Sequence, residues 1–282
     1  MLVADPQFIT RAPRDLPSWA AAFAAGGLPV LAATATEIEA LRLIEDGVDA
    51  HLLAEAIGSD PLVLLKVMAH LALLRRGRGA GEVESLTAAL VMLGIPPFFV
   101  AFGAQATVED ILASAPEALA GFQRVLRRSH RAARFALGLA AHRMDPDAGI
   151  IHDAALLHGI AELLLWLRAP PLAIEISRRL QADTTLRSAR AQREVLNIEL
   201  AALQHALMVA WQLPTLLVAI TDEYARRDTP QSANVRLAIR LARHSETGWD
   251  NSALPGDFAE VSALVQLSPT HVERLLRDIE AG

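Results

Sequence analysis

Two stretches of this chain, Ser85–Val108 and Leu200–Thr221, run for about the thickness of a membrane without one charged side chain, and both are broken by proline. The first carries Gly94-Ile95-Pro96-Pro97; the second carries Gln204, His205, Gln212 and Pro214. Proline removes a backbone donor and interrupts the helical ladder, and in lipid the freed groups find no water to bond. Both stretches are therefore expected to be pairs of helices buried in a soluble protein. The rest of the chain must then supply enough apolar helix faces to cover them.

The remaining sequence has the means. Of 282 residues, 52% are hydrophobic, which is ample for a substantial core. Helix signals recur along its length. Thr34-Ala-Thr-Glu37 fits a capping box ahead of an apolar-periodic run. Gly58 is placed as a helix C-cap, and Asp60-Pro61 reads as an N-cap followed by a first-turn proline. A helix is expected to end at Gly94 and another to begin at once. Ser114 and Glu117 form a second capping-box pattern, opening one long helix through "FQRVLRRSHRAARFALGLAAHRM". "DPDAG" reads as a turn, "IIHDAALLHGIAELLLWL" as a single helix stopped by Pro170-Pro171, and "REVLNIELAALQHALMVAWQL" as another stopped at Pro214. Ser268-Pro269 opens the last helix. No window alternates β-branched residues, so the expected fold is all-α, with Trp166 and Trp211 on apolar helix faces.

Several chemistries drop out early. The chain has no cysteine, which removes disulfides, zinc ribbons, iron–sulfur clusters and thiol nucleophiles. A net charge of −6 argues against general nucleic-acid binding. The N-terminus lacks a signal-peptide apolar core, so a cytoplasmic location and no membrane partner are expected. "GRGAG" at 77–81 lacks the Gly-Lys-Ser/Thr ending of a phosphate loop. Against the acidic background, Arg124, Arg127, Arg128, Arg131 and Arg134 recur at helical spacing. A solvated helix face explains such a stripe; docking of an acidic partner or a phosphate is the functional alternative, carried by Arg124, Arg127, Arg131 and Arg134.

Taken in order, several segments resemble one family. Ile57, Asp60, Pro61 and Leu62, then Leu93-Gly94, then Ser129, Ala132 and Ala136 are similar to the pattern of the HDOD domain (HD-related output domain). So are "DAALLHGIAELLL" and the set Glu199, His205, Ala206, Trp211, Leu213, Pro214 and Ile220. Ala69 and His70 depart from the Asn-Ser pair usual there. The resemblance covers roughly residues 16–245. It implies a multi-helix HDOD/HD-like architecture: an N-terminal extension over residues 1–15, an N-terminal helical subdomain over 16–113 and an HD-like helical subdomain over 114–282. It also implies a bacterial signaling module related in fold to the HD metal phosphohydrolases, acting on other signaling proteins.

HD phosphohydrolases hold a metal with a His on one helix, a His-Asp pair on the next and a later Asp; the cation activates a water for attack on phosphorus. By that register the pair here is His158-Gly159, which lacks the carboxylate. Arg128 stands at the first His position, with His130 two residues on and about 200° around the helix. A guanidinium cannot ligate a cation. Glu162 takes a position where Lys is frequent in catalytic relatives, and Asp222 and Glu223 stand where a His pair often does. No metal and no cofactor are therefore expected. The alternative is a rebuilt site of His158, Glu162, His205 and Asp222, making the chain a cryptic metal-dependent phosphohydrolase or phosphodiesterase, or else a small-ligand (nucleotide) sensor using the vacated pocket. Against it, His158 and His205 read as buried histidines bonded to each other or to backbone, and Glu162 as paired with an arginine, since a metal needs all its ligands and their supporting hydrogen bonds at once. Asp153, beside His152, is expected in a first helical turn. His51, His70, His142, His244 and His271 have no partner at an informative spacing.

Overall fold

A computed structural model describes residues 8–25, 27–75, 83, 85–222, 224 and 229–281. The helices are α1 (Leu16–Ala24), α2 (Ala32–Arg42), α3 (Ala50–Ile57), α4 (Pro61–Arg75), α5 (Leu86–Leu93), α6 (Ile95–Phe102), α7 (Val108–Ile111), α8 (Pro116–His142), α9 (Ala148–Leu157), α10 (Ile160–Arg168), α11 (Pro170–Ala182), α12 (Ser188–Leu196), α13 (Leu200–Ala210), α14 (Thr215–Thr221), α15 (Pro230–His244), α16 (Leu254–Val265) and α17 (Pro269–Ala281). The described residues contain no strand beyond an isolated bridge between Val30 and Thr107. The all-α expectation holds. The chain divides into two compact units, Met1–Val125 with Ile160–Leu213, and Leu126–Gly159 with Pro214–Gly282.

In the first unit the charge-free stretch from Ser85 becomes α5 and α6, joined by one residue. Gly94 sits at φ +84°, where only glycine is comfortable. Its N–H donates to the Leu90 carbonyl at 2.9 Å and its own carbonyl accepts from Phe98 N–H at 3.1 Å, so it closes one helix and opens the next. Phe98 and Phe102 are buried with ring centroids 5.0 Å apart. Trp19 is buried and donates its indole N–H to the Leu196 carbonyl at 2.8 Å, fixing α1. Trp166 is also buried, and a Cβ on Gly121 would stand 2.5 Å from its ring.

Asp60 is the polar keystone of this unit. It is fully buried, and its carboxylate accepts from Leu62 N–H at 2.8 Å and Val63 N–H at 3.3 Å, capping α4 as its sequence predicts. The same carboxylate accepts from Leu31 N–H at 2.8 Å, at the start of α2. Glu109 accepts from Ala32 N–H at 2.9 Å. The Thr34–Glu37 capping box is therefore corrected: α2 begins before it, because two carboxylates distant in sequence satisfy the orphan donors. Thr34 lies inside α2 and is buried. Burial pushes the Asp60 carboxyl above the usual carboxylate range, and the bonds from Leu31, Leu62, Val63 and Thr34 oppose it. Burial likewise pushes the Lys66 ammonium down, while it donates to the Leu28 carbonyl at 2.7 Å and to Gln105.

Two expected continuous helices are broken. Asn197 adopts φ +64°, ending α12 before α13 begins; asparagine tolerates this left-handed conformation better than other residues with side chains. "IIHDAALLHGIAELLLWL" divides at His158-Gly159, where α9 ends and membership passes from one unit to the other. Glycine is a poor helix residue, and the ladder stops there. Pro170 and Pro171 not only stop α10 but open α11 from its first turn. Among the described residues one stretch, Ala148–Arg168, is long and apolar enough to cross a membrane by length and composition, and 78% of its most apolar window is buried within the protein.

In the second unit α9, α14, α15 and α16 pack around Ile151, Leu237, Leu241 and Val261. Phe135 and Leu139 of α8 are buried in the same unit. Thr229 and Ser232 make a reciprocal capping box at α15, and Ser268 starts α17 as expected. A Cβ on Gly138 would meet the tip of Ile279 at 2.3 Å.

Candidate functional site

The positions aligned with an HD metal centre fall on several elements. Arg128 and His130 lie on α8, both half-buried. His158 caps α9 and Gly159 follows it, both half-buried; Glu162 is in the first turn of α10. His205 lies on α13, half-buried, and its Nδ1 is buried without a hydrogen-bond partner among the described residues, so that nitrogen is not bonded to backbone as expected. Asp222 ends α14, and its carboxylate accepts from Tyr224 N–H at 2.9 Å. Glu223 lies outside the described residues, as does "GRGAG" at 77–81. Among the described residues no three His, Asp or Glu side chains are grouped so that they could hold a metal ion.

Asp153 departs from its expected place. α9 begins at Ala148, so Asp153 is mid-helix; it is buried, and its carboxylate pairs with His152 Nδ1 at 3.0 Å. His244, without an informative neighbor in sequence, pairs with the buried Asp257 at 2.6 Å. Arg240 donates its Nε to the same carboxylate at 3.0 Å and reaches Glu260 at 2.7 Å. These carboxylates, Glu260 foremost, hold the Arg240 guanidinium above its ordinary value. An aspartate already shared by an arginine is a structural tie rather than the orienter of a free histidine base.

The arginine stripe resolves into parts. Arg124, in the first unit, lies 5.9 Å over the Trp166 ring and 3.5 Å from Ser177 Oγ. Arg134 is exposed. In the second unit Arg127, Arg128 and Arg131 line a cleft of about 400 Å³ together with Ser245, Glu246, Gly248, Trp249 and Glu280. Three arginines and two glutamates thus line one cleft in a protein that is acidic as a whole.

Arg131 is the best anchored of the three. Its Nε donates to Glu280 at 2.7 Å, Nη1 to the Ala242 carbonyl at 3.2 Å and Nη2 to Ser245 Oγ at 3.0 Å. Glu280 also accepts from the Trp249 indole N–H at 3.1 Å. The indole ring also packs against Arg277, at 4.9 Å, and against Phe258 in a stacked arrangement at 6.3 Å. Ser245, Trp249 and Glu280 were not singled out from sequence. They lie 114 to 149 residues from Arg131, and no local pattern links them to it.

The fold has known counterparts. The MmoQ response regulator of Methylococcus capsulatus superposes with a TM-score of 0.66 at 20% identity, covering 89% of this chain and 98% of that one. A virulence factor from Campylobacter jejuni gives 0.64 at 16% identity, with 89% and 90% covered. An HDOD domain protein with unknown function from Geobacter sulfurreducens gives 0.50 at 14% identity, with 94% and 96% covered. Among curated proteins none matches the chain by sequence. The sequence profile of the HDOD domain matches residues 28–226, well over half the chain and inside the span of the resemblance read from the motifs. The chain belongs to the HDOD domain family.

Proposed function

We propose that this chain is a non-catalytic bacterial signal-transduction module that regulates by protein–protein contact in the cytoplasm, built on a degenerate HD metal site. One observation carries the reading: Gly159 follows His158 where a catalytic relative needs a carboxylate, and no cluster of metal-binding side chains replaces it among the described residues. A glycine offers a cation neither charge nor a donor atom. The likeness to a protein described as a response regulator supports the signaling half of the reading.

The test is direct. The full chain is titrated calorimetrically with Mn²⁺ and Zn²⁺ and assayed for phosphomonoesterase and phosphodiesterase activity, beside His158→Ala. The expected result is no stoichiometric metal binding and no hydrolysis. Stoichiometric binding, with hydrolysis that disappears in His158→Ala, would show an enzyme and sink the proposal. The contact half is tested by cross-linking in the native cytoplasm and rebuilding any captured complex from purified components. Failure of every such pair to associate would refute it.

A further inference from the structure

We infer that the cleft between α8, the segment after α15, and α17 is a binding site for a small phosphate monoester, with Glu280 as its resident stand-in anion. The lining comes entirely from the second unit, and His158, Gly159 and Asp222 are not part of it. The inference does not depend on the regulatory reading.

The chain itself demonstrates the anion chemistry. Glu280 brings a carboxylate to Arg131 at 2.5 Å and to the Trp249 indole N–H at 3.1 Å, in a position with both charged and neutral donors. The Glu280 side chain retains 30% exposure and Arg131 16%, so the pair is reachable from solvent. Arg127 and Arg128 line the same cleft. On a helix, positions 127, 128 and 131 lie within one turn, and 127 and 131 share a face. The lining thus holds three arginines and two glutamates, and Glu280 is bonded to Arg131. A phosphate monoester supplies up to two negative charges and three acceptor oxygens, and guanidinium forks match that geometry. The volume falls in the range of small-molecule sites and exceeds what one phosphate fills, so the ligand carries an organic group as well. Trp249 already packs its ring against Arg277 and Phe258, so stacking on it is not assigned to that group. Its contacts are the cleft walls at Gly248 and Ser245.

The test uses the full chain in chloride buffer at low ionic strength. Inorganic phosphate, adenosine 5′-monophosphate and adenosine are titrated separately, with binding read by calorimetry and by the shift in unfolding temperature. Saturable binding of the monophosphate, and none of adenosine, is expected. Saturation by inorganic phosphate with equal affinity assigns the site to the free ion and overturns the organic-ligand part. Arg127→Gln, at an exposed position, should weaken the monophosphate by about tenfold, the worth of one charge-assisted hydrogen bond. Glu280→Gln removes the resident charge and should tighten binding several-fold while circular dichroism stays that of the parent. The site is refuted if neither phosphate compound binds, if adenosine binds as well as its monophosphate, or if affinity is the same in Arg127→Gln. Unchanged affinity in a folded Glu280→Gln removes the stand-in role.

Discussion

Asp60 and Glu280 are both carboxylates held by N–H donors, and they put charge to opposite uses. Asp60 is fully buried and takes three of its bonds from the backbone of two helix starts, with the Thr34 side chain beside them. Glu280 is partly exposed and takes its bonds from the side chains of Arg131 and Trp249. Backbone donors cannot leave without unravelling the helices they begin; side-chain donors can exchange one anion for another. The contrast separates a tie that defines the fold from a contact that a ligand could replace.

Mutations can break that contrast. Asp60→Ala should do the most damage, since two buried backbone donors and the part-buried Leu31 N–H lose their acceptor; a loss of about 3 kcal/mol or more is expected in urea unfolding. A loss no greater than that of Glu280→Ala would erase the distinction between the two carboxylates. Packing sharpens it next. Gly121→Ala drives a methyl into the rigid Trp166 ring and should cost about 1–3 kcal/mol. Gly138→Ala meets Cδ1 and Cγ1 of the half-buried Ile279, which can turn about its own side-chain bonds, and should cost less, so reversal of that order would mean the second unit is the stiffer.

Acidity gives a third handle. The folded Asp60 carboxyl is raised above its ordinary value of 3.8, so the native state holds its proton to higher pH than the unfolded chain does. Its contribution is therefore most favorable below the unfolded value and declines as pH rises from there through the raised folded value. Asp60→Asn, with no titrating group, should lack that decline. Thermal unfolding of both proteins across the acid range checks it: a difference between them that is flat with pH would mean the carboxyl is not raised. The smallest effect is expected at the cleft. Arg127→Gln should change stability by less than about 0.5 kcal/mol, because the side chain is exposed; a larger loss in chemical denaturation would make it part of the scaffold.

What could be read from sequence was local. Asp60-Pro61, Ser268-Pro269 and the Gly94 joint rest on neighbors within a few residues, and each appears where it was expected. The family resemblance was legible for a related reason, since its motifs mark these same helix starts and faces. The beginning of α2 was not legible, because its caps come from Asp60 and Glu109, 29 and 77 residues away. The breaks at Asn197 and His158-Gly159 were hidden inside apolar periodicity that continues across them. Of the cleft only the arginine wall could be seen, since a stripe on one helix is a local pattern. The opposite walls, Trp249 and Glu280, are set by tertiary packing alone.

The Gly94 joint leaves α5 and α6 with no slack. Gly94 serves both helices at once, through its N–H to Leu90 and its carbonyl to Phe98, so a residue added there would part those two bonds and loosen the hold on the buried rings of Phe98, Phe99 and Phe102. Length variation should therefore be absent at this spot in any working version of the fold, however freely the sequence around it drifts.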